Sequence, residues 1–152
     1  MVVLFMGGVT KRFPTLNIAF LEGGVSWACA LYAGLISHWE KRNKKDIWNL
    51  DPNSIDSEMM LKLIDTYGHQ SIRSQIDEIR KQLATGNPTP RMVDDWSKVP
   101  MESVQDIKTL FVEPFYFGCE ADDPMNSFAF NTKVNPLGAK LKAVFSSDIG
   151  HW

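Results

Sequence analysis

Three short apolar runs along the chain have the length and the bounding residues of buried β-strands. They lie at residues 16–21, 109–117 and 141–145. Each run is followed within two residues by glycine or serine, which favours a strand over a helix. Pro114 lies inside the second run and predicts a bulge or an early end there, because proline cannot donate a hydrogen bond to a sheet.

Between these runs, apolar residues recur at helical spacing. A stripe that begins next to Ser26, the predicted N-cap region, repeats every fourth residue and predicts a long helix: Trp27, Leu31, Leu35 and Trp39. Residues 57–67 and 72–83 each carry one apolar stripe and predict a helical pair, with Gly68 at the end of its first helix. The pair lies within a segment of about 50–100 that we interpret as a helical insertion.

The predicted order is strand, helix, helical pair, strand, helix, strand. This alternation is typical of an α/β fold with a parallel sheet and right-handed crossovers. Residues 1–9 begin apolar without a capping residue, and the third strand is followed by only a short tail. We therefore expect residues 1–152 to form a single domain that is one piece of a longer α/β protein.

Composition and charge narrow the classes of function. The 152 residues are enough for one sizeable core, with 44% hydrophobic and 22% charged residues. The formal net charge is -2, so we expect no nucleic-acid partner. No apolar run approaches the ~20 residues that span a bilayer, so we expect no membrane partner. Two cysteines, Cys29 and Cys119, without a Cys-x-x-Cys pair predict reduced, buried thiols in a cytoplasmic protein.

Acidic residues follow each predicted strand. Glu22 follows the first, Glu120 and the pair at 122–123 follow the second, and Asp148 follows the third, with His151 three residues later. In parallel α/β folds, chemistry gathers outside the carboxyl ends of the strands, where converging carboxylates suit metal ligation or acid/base work. The alternative is structural: the pair at 122–123 caps the next helix, and Glu22 accepts from backbone N–H groups at a helix start.

Two segments carry a resemblance to a known family. GVTKRFPTLNIAFLEGG at 8–24 resembles the "GvferFPnLrivfxHgGg" segment of the amidohydrolase-related family, and VFSSDIGHW at 144–152 is similar to its "vlfgSDyPHxd" segment. Residues 27–40 resemble the helix that follows the first segment, whereas about 50–100 show no match. The family comprises metal-dependent hydrolases and decarboxylases, including aminocarboxymuconate-semialdehyde decarboxylase and the resorcylate decarboxylases. The resemblance implies a partial (β/α)8 TIM barrel, with strands six to eight present.

The resemblance also implies roles for individual residues. Asp148 falls on the family's metal-binding aspartate, which assists proton transfer. His151, the second implied catalytic residue, falls on the histidine three residues later, which either supports the metal ligands or faces the substrate. Glu22 stands where many members have a metal-binding histidine, so the implied ligands are Asp148 and Glu22. The implied cofactor is a divalent ion, zinc or manganese, in the intact enzyme, and we expect the chain alone to be poor in metal. Trp27 and Glu120 are the expected substrate contacts at the rim.

Two classes of function therefore stay open. The resemblance implies a fragment of a metal-dependent hydrolase or carboxy-lyase for a small carboxylated substrate, such as a carboxylated aromatic. We expect the chain alone to be inactive and prone to form homo-oligomers, because ligands on the earlier strands are absent and strands are uncovered. The alternative is a non-catalytic α/β module that binds a partner through its exposed edge or aromatic surface.

Overall fold

The computed structural model describes residues 1–85, 94–99, 101–147 and 150. The chain divides into two compact units: Met1–Asn43 with Asp95–Trp152, and Lys44–Asp94. The second unit overlaps the segment of about 50–100 that was interpreted as a helical insertion. None of the helices in the described ranges is long and apolar enough to cross a membrane.

The first unit is built around a three-stranded parallel sheet in the order β1-β2-β3. The strands are β1 (Ile18–Phe20), β2 (Phe115–Glu120) and β3 (Lys142–Ser146). Phe20 lies opposite Phe117, and Glu120 lies opposite Ser146. The α/β fold with a parallel sheet, predicted from the alternation of strands and helices, is confirmed.

Helices connect and flank the strands. In the first unit they are α1 (Val2–Met6), α2 (Val9–Arg12), α3 (Ser26–Arg42), α7 (Val104–Val112) and α8 (Ser127–Phe130). In the second unit they are α4 (Ser57–Tyr67), α5 (Gln70–Arg73) and α6 (Ile76–Ala84). Asp56 accepts from the Met59 N–H at 2.9 Å and starts α4, which packs on α6. The predicted bounds 57–67 are thus confirmed.

One face of the sheet carries the core of the first unit. Alternate residues of β2 point to this face, as the pleat of a strand requires, and Phe115 and Phe117 are fully buried. Phe111 of α7 contacts both rings, with centroids 5.7 and 6.4 Å away, and also Tyr32 of α3 at 5.4 Å. The core therefore lies between this face and helices α3 and α7.

The opposite face of the sheet is open to solvent. It carries Ala19 and Leu21 near β1 and Val144 in β3, all three of them exposed. Leu21 is 72% exposed and Val144 is 42% exposed, which is high for apolar residues of a sheet. Within the described residues of the first unit, helices thus cover one side of this sheet, whereas most parallel sheets are covered on both.

The predicted strand at 109–117 is wrong in its first half. Residues 104–112 form α7, because Asp106 Oδ2 accepts from the backbone N–H groups of Glu102 at 2.8 Å and Ser103 at 3.0 Å at the helix start. Ile107 and Phe111, four residues apart, share the buried face. The apolar run had strand length but helical spacing, and Pro114 separates the helix from β2.

Smaller differences concern the other predicted helices. Ser26 is the first residue of α3, and Val25 occupies the N-cap without a side-chain hydrogen bond. The fully buried face of α3 includes Ala28 and Tyr32, one position from the predicted tryptophan stripe. The helix predicted at 72–83 is interrupted between α5 and α6. The predicted irregular connection at 87–105 lies partly outside the described residues.

Candidate functional site

The carboxyl ends of β1 and β2 form one acidic cleft. It has a volume of about 220 Å³ and is lined by Glu22, Gly23, Gly24, Glu120 and Asp123. Because β1 and β2 are parallel neighbours, the residues that follow each strand reach the same edge of the sheet. Three of these five residues carry carboxylates and none carries a cation, so the lining has a formal charge of -3 at neutral pH.

The turn after β1 holds Glu22 directly against β2. A side chain on Gly118 would place its Cβ 3.1 Å from Leu21 Cα and 3.3 Å from Glu22 N, so a larger residue would require the turn to shift by a few tenths of an ångström. The Gly24 N–H donates to the Gly118 carbonyl at 3.1 Å. Glu22 itself has a φ of 59°, a left-handed conformation that costs a non-glycine residue about 1–2 kcal/mol. The backbone of Glu22 is therefore held in a strained conformation at the cleft.

The three carboxylates of the cleft differ in their partners. Asp123 Oδ1 accepts from the Met125 N–H at 2.8 Å and caps the 3-10 turn Pro124–Asn126. The carboxylates of Glu22 and Glu120 are exposed and receive no hydrogen bond or ion pair from any described residue. The capping role considered for the pair at 122–123 thus falls to Asp123. The acceptor role considered for Glu22 at a helix start is not seen in the described chain.

Trp27 lies beside the cleft at the start of α3. Its ring contacts Phe20 and Phe117 edge-on, with centroids 5.9 and 5.6 Å away. Its indole Nε1 lies 3.3 Å from the position that a Cβ on Gly23 would take, and the residue is 37% exposed. Trp27 and Glu120, the two residues predicted to contact substrate, thus lie next to and within the same cleft.

Asp148 and His151, the predicted metal ligand and catalytic histidine, lie outside the described residues. The described end of the third strand is Ser146, which pairs with Glu120, followed by Ser147. The structure therefore brings together Glu22, Glu120 and Trp27. The predicted pairing of Glu22 with Asp148 falls outside the described residues.

The cleft residues fit a divalent ion in their chemistry but not in their number. Glu22 and Glu120 are unpaired carboxylates, the ligand type that hard ions such as manganese prefer, whereas zinc favours histidine and cysteine. In the ranges 1–85, 94–99 and 101–147, no three His, Cys, Asp or Glu side chains are arranged to hold an ion. A complete site at this cleft therefore requires at least one further ligand.

Both cysteines are buried, as the sequence predicted. Burial raises the pKa of the Cys119 thiol, and the nearby Asp123 carboxylate raises it further, against a smaller opposing effect of a backbone hydrogen bond. Burial also raises the pKa of Cys29, with Cys119 adding to the effect. A raised thiol pKa favours the protonated form, so neither cysteine is an activated nucleophile at neutral pH.

Of the predicted acidic pair at 122–123, Asp123 lines the cleft. Sequence reasoning missed one contributor to the cleft, Gly118, the residue that admits the turn carrying Glu22. No pattern in the sequence indicates that role, because it depends on a contact between residues almost one hundred positions apart.

Comparison with known proteins adds no assignment: no family model, no curated protein and no solved structure matches this chain.

Proposed function

We propose that this chain supplies part of the active-site rim of a metal-dependent hydrolase or carboxy-lyase with a (β/α)8 barrel. One observation carries the proposal. Glu22 and Glu120, both without partners in the described chain, share one cleft at the carboxyl ends of two adjacent parallel strands. That edge is where parallel α/β enzymes place their catalytic groups.

The open face of the sheet supports the barrel. In a (β/α)8 barrel, helices cover the outer face of each strand and the inner face is buried against the other strands. In the described part of the first unit, helices cover one face, while Leu21 and Val144 are exposed on the other. Burying that face against further strands would remove apolar area from water, at roughly 25 cal/mol per Å².

In the proposed enzyme, Glu22 and Asp148 hold a divalent ion, either zinc or manganese. The carboxylates of the cleft favour manganese because their oxygen atoms are hard ligands. When bound, the ion supplies Lewis-acid activation of a water molecule or binding of a substrate carboxylate. Without a bound ion, a cleft with a formal charge of -3 repels a carboxylated substrate. The positive charge of the ion offsets this repulsion.

The chain's own residues have distinct proposed tasks. Asp148 accepts and returns the proton at its carboxylate, and His151 assists as a neighbouring proton carrier. Trp27 forms a rigid aromatic wall beside Gly23, and Glu120 contacts polar groups of the substrate. The substrate is a small carboxylated molecule. The same proposal includes three expectations from the sequence: a cytoplasmic location, assembly into homo-oligomers, and no nucleic-acid or membrane partner.

Metal titration tests the proposal on the full chain. Mn²⁺ binding, followed by the loss of its free paramagnetic resonance signal, is expected to weaken at least about tenfold in Glu22→Gln, because one charged ligand is lost. Glu40→Gln, which removes an exposed carboxylate in the last turns of α3, is the matched control and is expected to bind Mn²⁺ like the unaltered chain. Equal affinities in the two variants would contradict the assignment of Glu22.

A non-catalytic, partner-binding module is the second candidate. It is favoured by apolar side chains that the sheet leaves exposed: Leu21 at 72% on one face and, on the opposite face of the edge of the sheet, Phe145 at 73%. Apolar side chains exposed at the edge of a sheet are typical of a surface that binds a partner. This candidate predicts concentration-dependent association that Phe145→Ser reduces, together with Mn²⁺ binding that is indifferent to Glu22→Gln.

A further inference from the structure

A second cleft in the first unit lies between α3 and the segment around α8. Its volume is about 300 Å³. One wall is a stripe of small residues on α3, and the other is formed by larger apolar residues and one amide: Ser26, Cys29, Ala30, Ala33, Met125, Phe128, Val134 and Asn135. It shares no lining residue with the acidic cleft.

The spacing on α3 explains why the space exists. Residues 26, 29, 30 and 33 follow the i, i+3, i+4, i+7 pattern of one helix face, and none of them is larger than cysteine. Phe128 and Met125 approach this face but do not fill it, and both keep more than a third of their surface exposed. The result is a recess walled by apolar atoms on both sides.

Asn135 is the buried amide that lines this recess, beside the hydroxyl group of Ser26 at its α3 wall. It is only 4% exposed, and its Nδ2 donates to the Phe128 carbonyl at 2.7 Å and the Ala129 carbonyl at 3.5 Å. These bonds fix the amide plane. No donor among the described residues reaches Asn135 Oδ1, so this oxygen is an acceptor available to a molecule in the cleft.

From this lining we infer that the cleft binds a small uncharged molecule with an aromatic or aliphatic body and one N–H or O–H donor directed to Asn135. Apolar walls with a few fixed polar groups are the usual make-up of a ligand site. A cavity of about 150 Å³ accepts benzene, so about 300 Å³ has room for a bicyclic ring. No carboxylate or cation lines the cleft, which selects against charged ligands.

Cys29 provides a reporter inside the cleft. Cys29 is 7% exposed, and its thiol is expected to react slowly because it is buried and because burial raises its pKa. In a Cys119→Ser chain, Cys29 is the single thiol, and its rate of modification by a disulfide reagent measures access to the cleft. Indole is the probe, because it pairs a bicyclic apolar body with one N–H donor. 1-Methylindole is its matched control, because it has almost the same shape and no donor.

Indole is expected to slow modification of Cys29 in a saturable manner. 1-Methylindole is expected to bind about fivefold more weakly, which corresponds to one lost hydrogen bond. Ala33→Leu fills the cleft and is expected to weaken indole binding about tenfold or more. Gly34→Ala, the next residue of the same helix, adds a methyl group that meets nothing within 4 Å and is expected to leave binding unchanged.

Three results would overturn the inference. The first is that indole does not protect Cys29 from modification, and the second is that Ala33→Leu leaves this protection unchanged. The third is that indole and 1-methylindole bind equally, which would show that Asn135 does not recognise the N–H donor. The alternative occupant of the cleft is a second copy of the chain, and sedimentation velocity tests it by measuring the oligomeric state. If Ala33→Leu lowers the oligomeric state, and Cys29 protection rises with protein concentration instead of indole, the cleft is an interface and the small-molecule site is refuted. None of these outcomes depends on metal binding at the acidic cleft.

Discussion

Replacing Gly118 with alanine tests the contact on which the acidic cleft depends. The new Cβ would lie 3.1 Å from Leu21 Cα, 3.3 Å from Glu22 N and 3.3 Å from Leu21 Cδ2. Two of these atoms belong to backbone that already carries the left-handed Glu22, so the turn has to move away from β2. Overpacking of this kind costs about 1–3 kcal/mol. The expected loss in unfolding free energy is about 2 kcal/mol, or roughly 4–8 °C in melting temperature for a chain of this length.

Gly34→Ala is the matched control for this change. It makes the same substitution at an exposed position of α3, where the added methyl group meets nothing within 4 Å. Alanine favours a helix interior by about 0.5–1 kcal/mol relative to glycine, so this variant is expected to be more stable.

Urea denaturation followed by circular dichroism measures both variants, and opposite signs are expected. A Gly118→Ala chain as stable as the unaltered one would show that the turn after β1 does not press on β2. In that case Glu22 would not be held at the cleft as described.

Three further predictions concern the framework around the sites. Burial raises the pKa of Tyr32 to about 12 from the ordinary 10.0, so the unfolded chain loses this proton first. The contribution of Tyr32 to the unfolding free energy is therefore full below pH 10 and is lost as pH rises through 12, by about 2–3 kcal/mol in total. Urea titrations of Tyr32→Phe over the same pH range should show no such loss. Asp106→Ala removes the acceptor at the start of α7 and should cost about 1–2 kcal/mol, with partial recovery in Asp106→Asn; equal stability of all three chains would refute the capping role. Phe111→Ala should cost about 3–5 kcal/mol because its ring is fully buried, whereas Phe145→Ala at 73% exposure should change stability little, and similar losses would contradict the assigned core.

The local sequence pattern predicted secondary structure correctly where the pattern fits only one type of element. The apolar stripe at 57–67, followed by Gly68, predicted a helix, and α4 has those bounds. The apolar runs at 16–21 and 141–145 contain β1 and most of β3. Both runs are short and bounded by turn residues, so few alternatives compete with a strand. The parallel sheet followed from the alternation of strands and helices, which sterically favours one crossover hand.

Local pattern failed where one apolar run fits two periods. Residues 109–112 have strand composition, yet Phe111 is buried on the same helix face as Ile107. The hydrogen bonds of Asp106 with the chain before α7 start the helix upstream of the run. A run of four residues, three of them apolar, is too short to distinguish the two periods, so contacts with the rest of the core decide.

The sequence alone placed acidic residues after the strands and indicated that the strands are parallel, because both properties follow from the local order of residues. Which acids meet was decided only in three dimensions. Glu22 reaches the cleft because Gly118, far along the chain, has no side chain to exclude it. The recess at Asn135 likewise exists only because small residues of α3 face α8. Close approach between distant segments depends on excluded volume across the fold, and no sequence period encodes it.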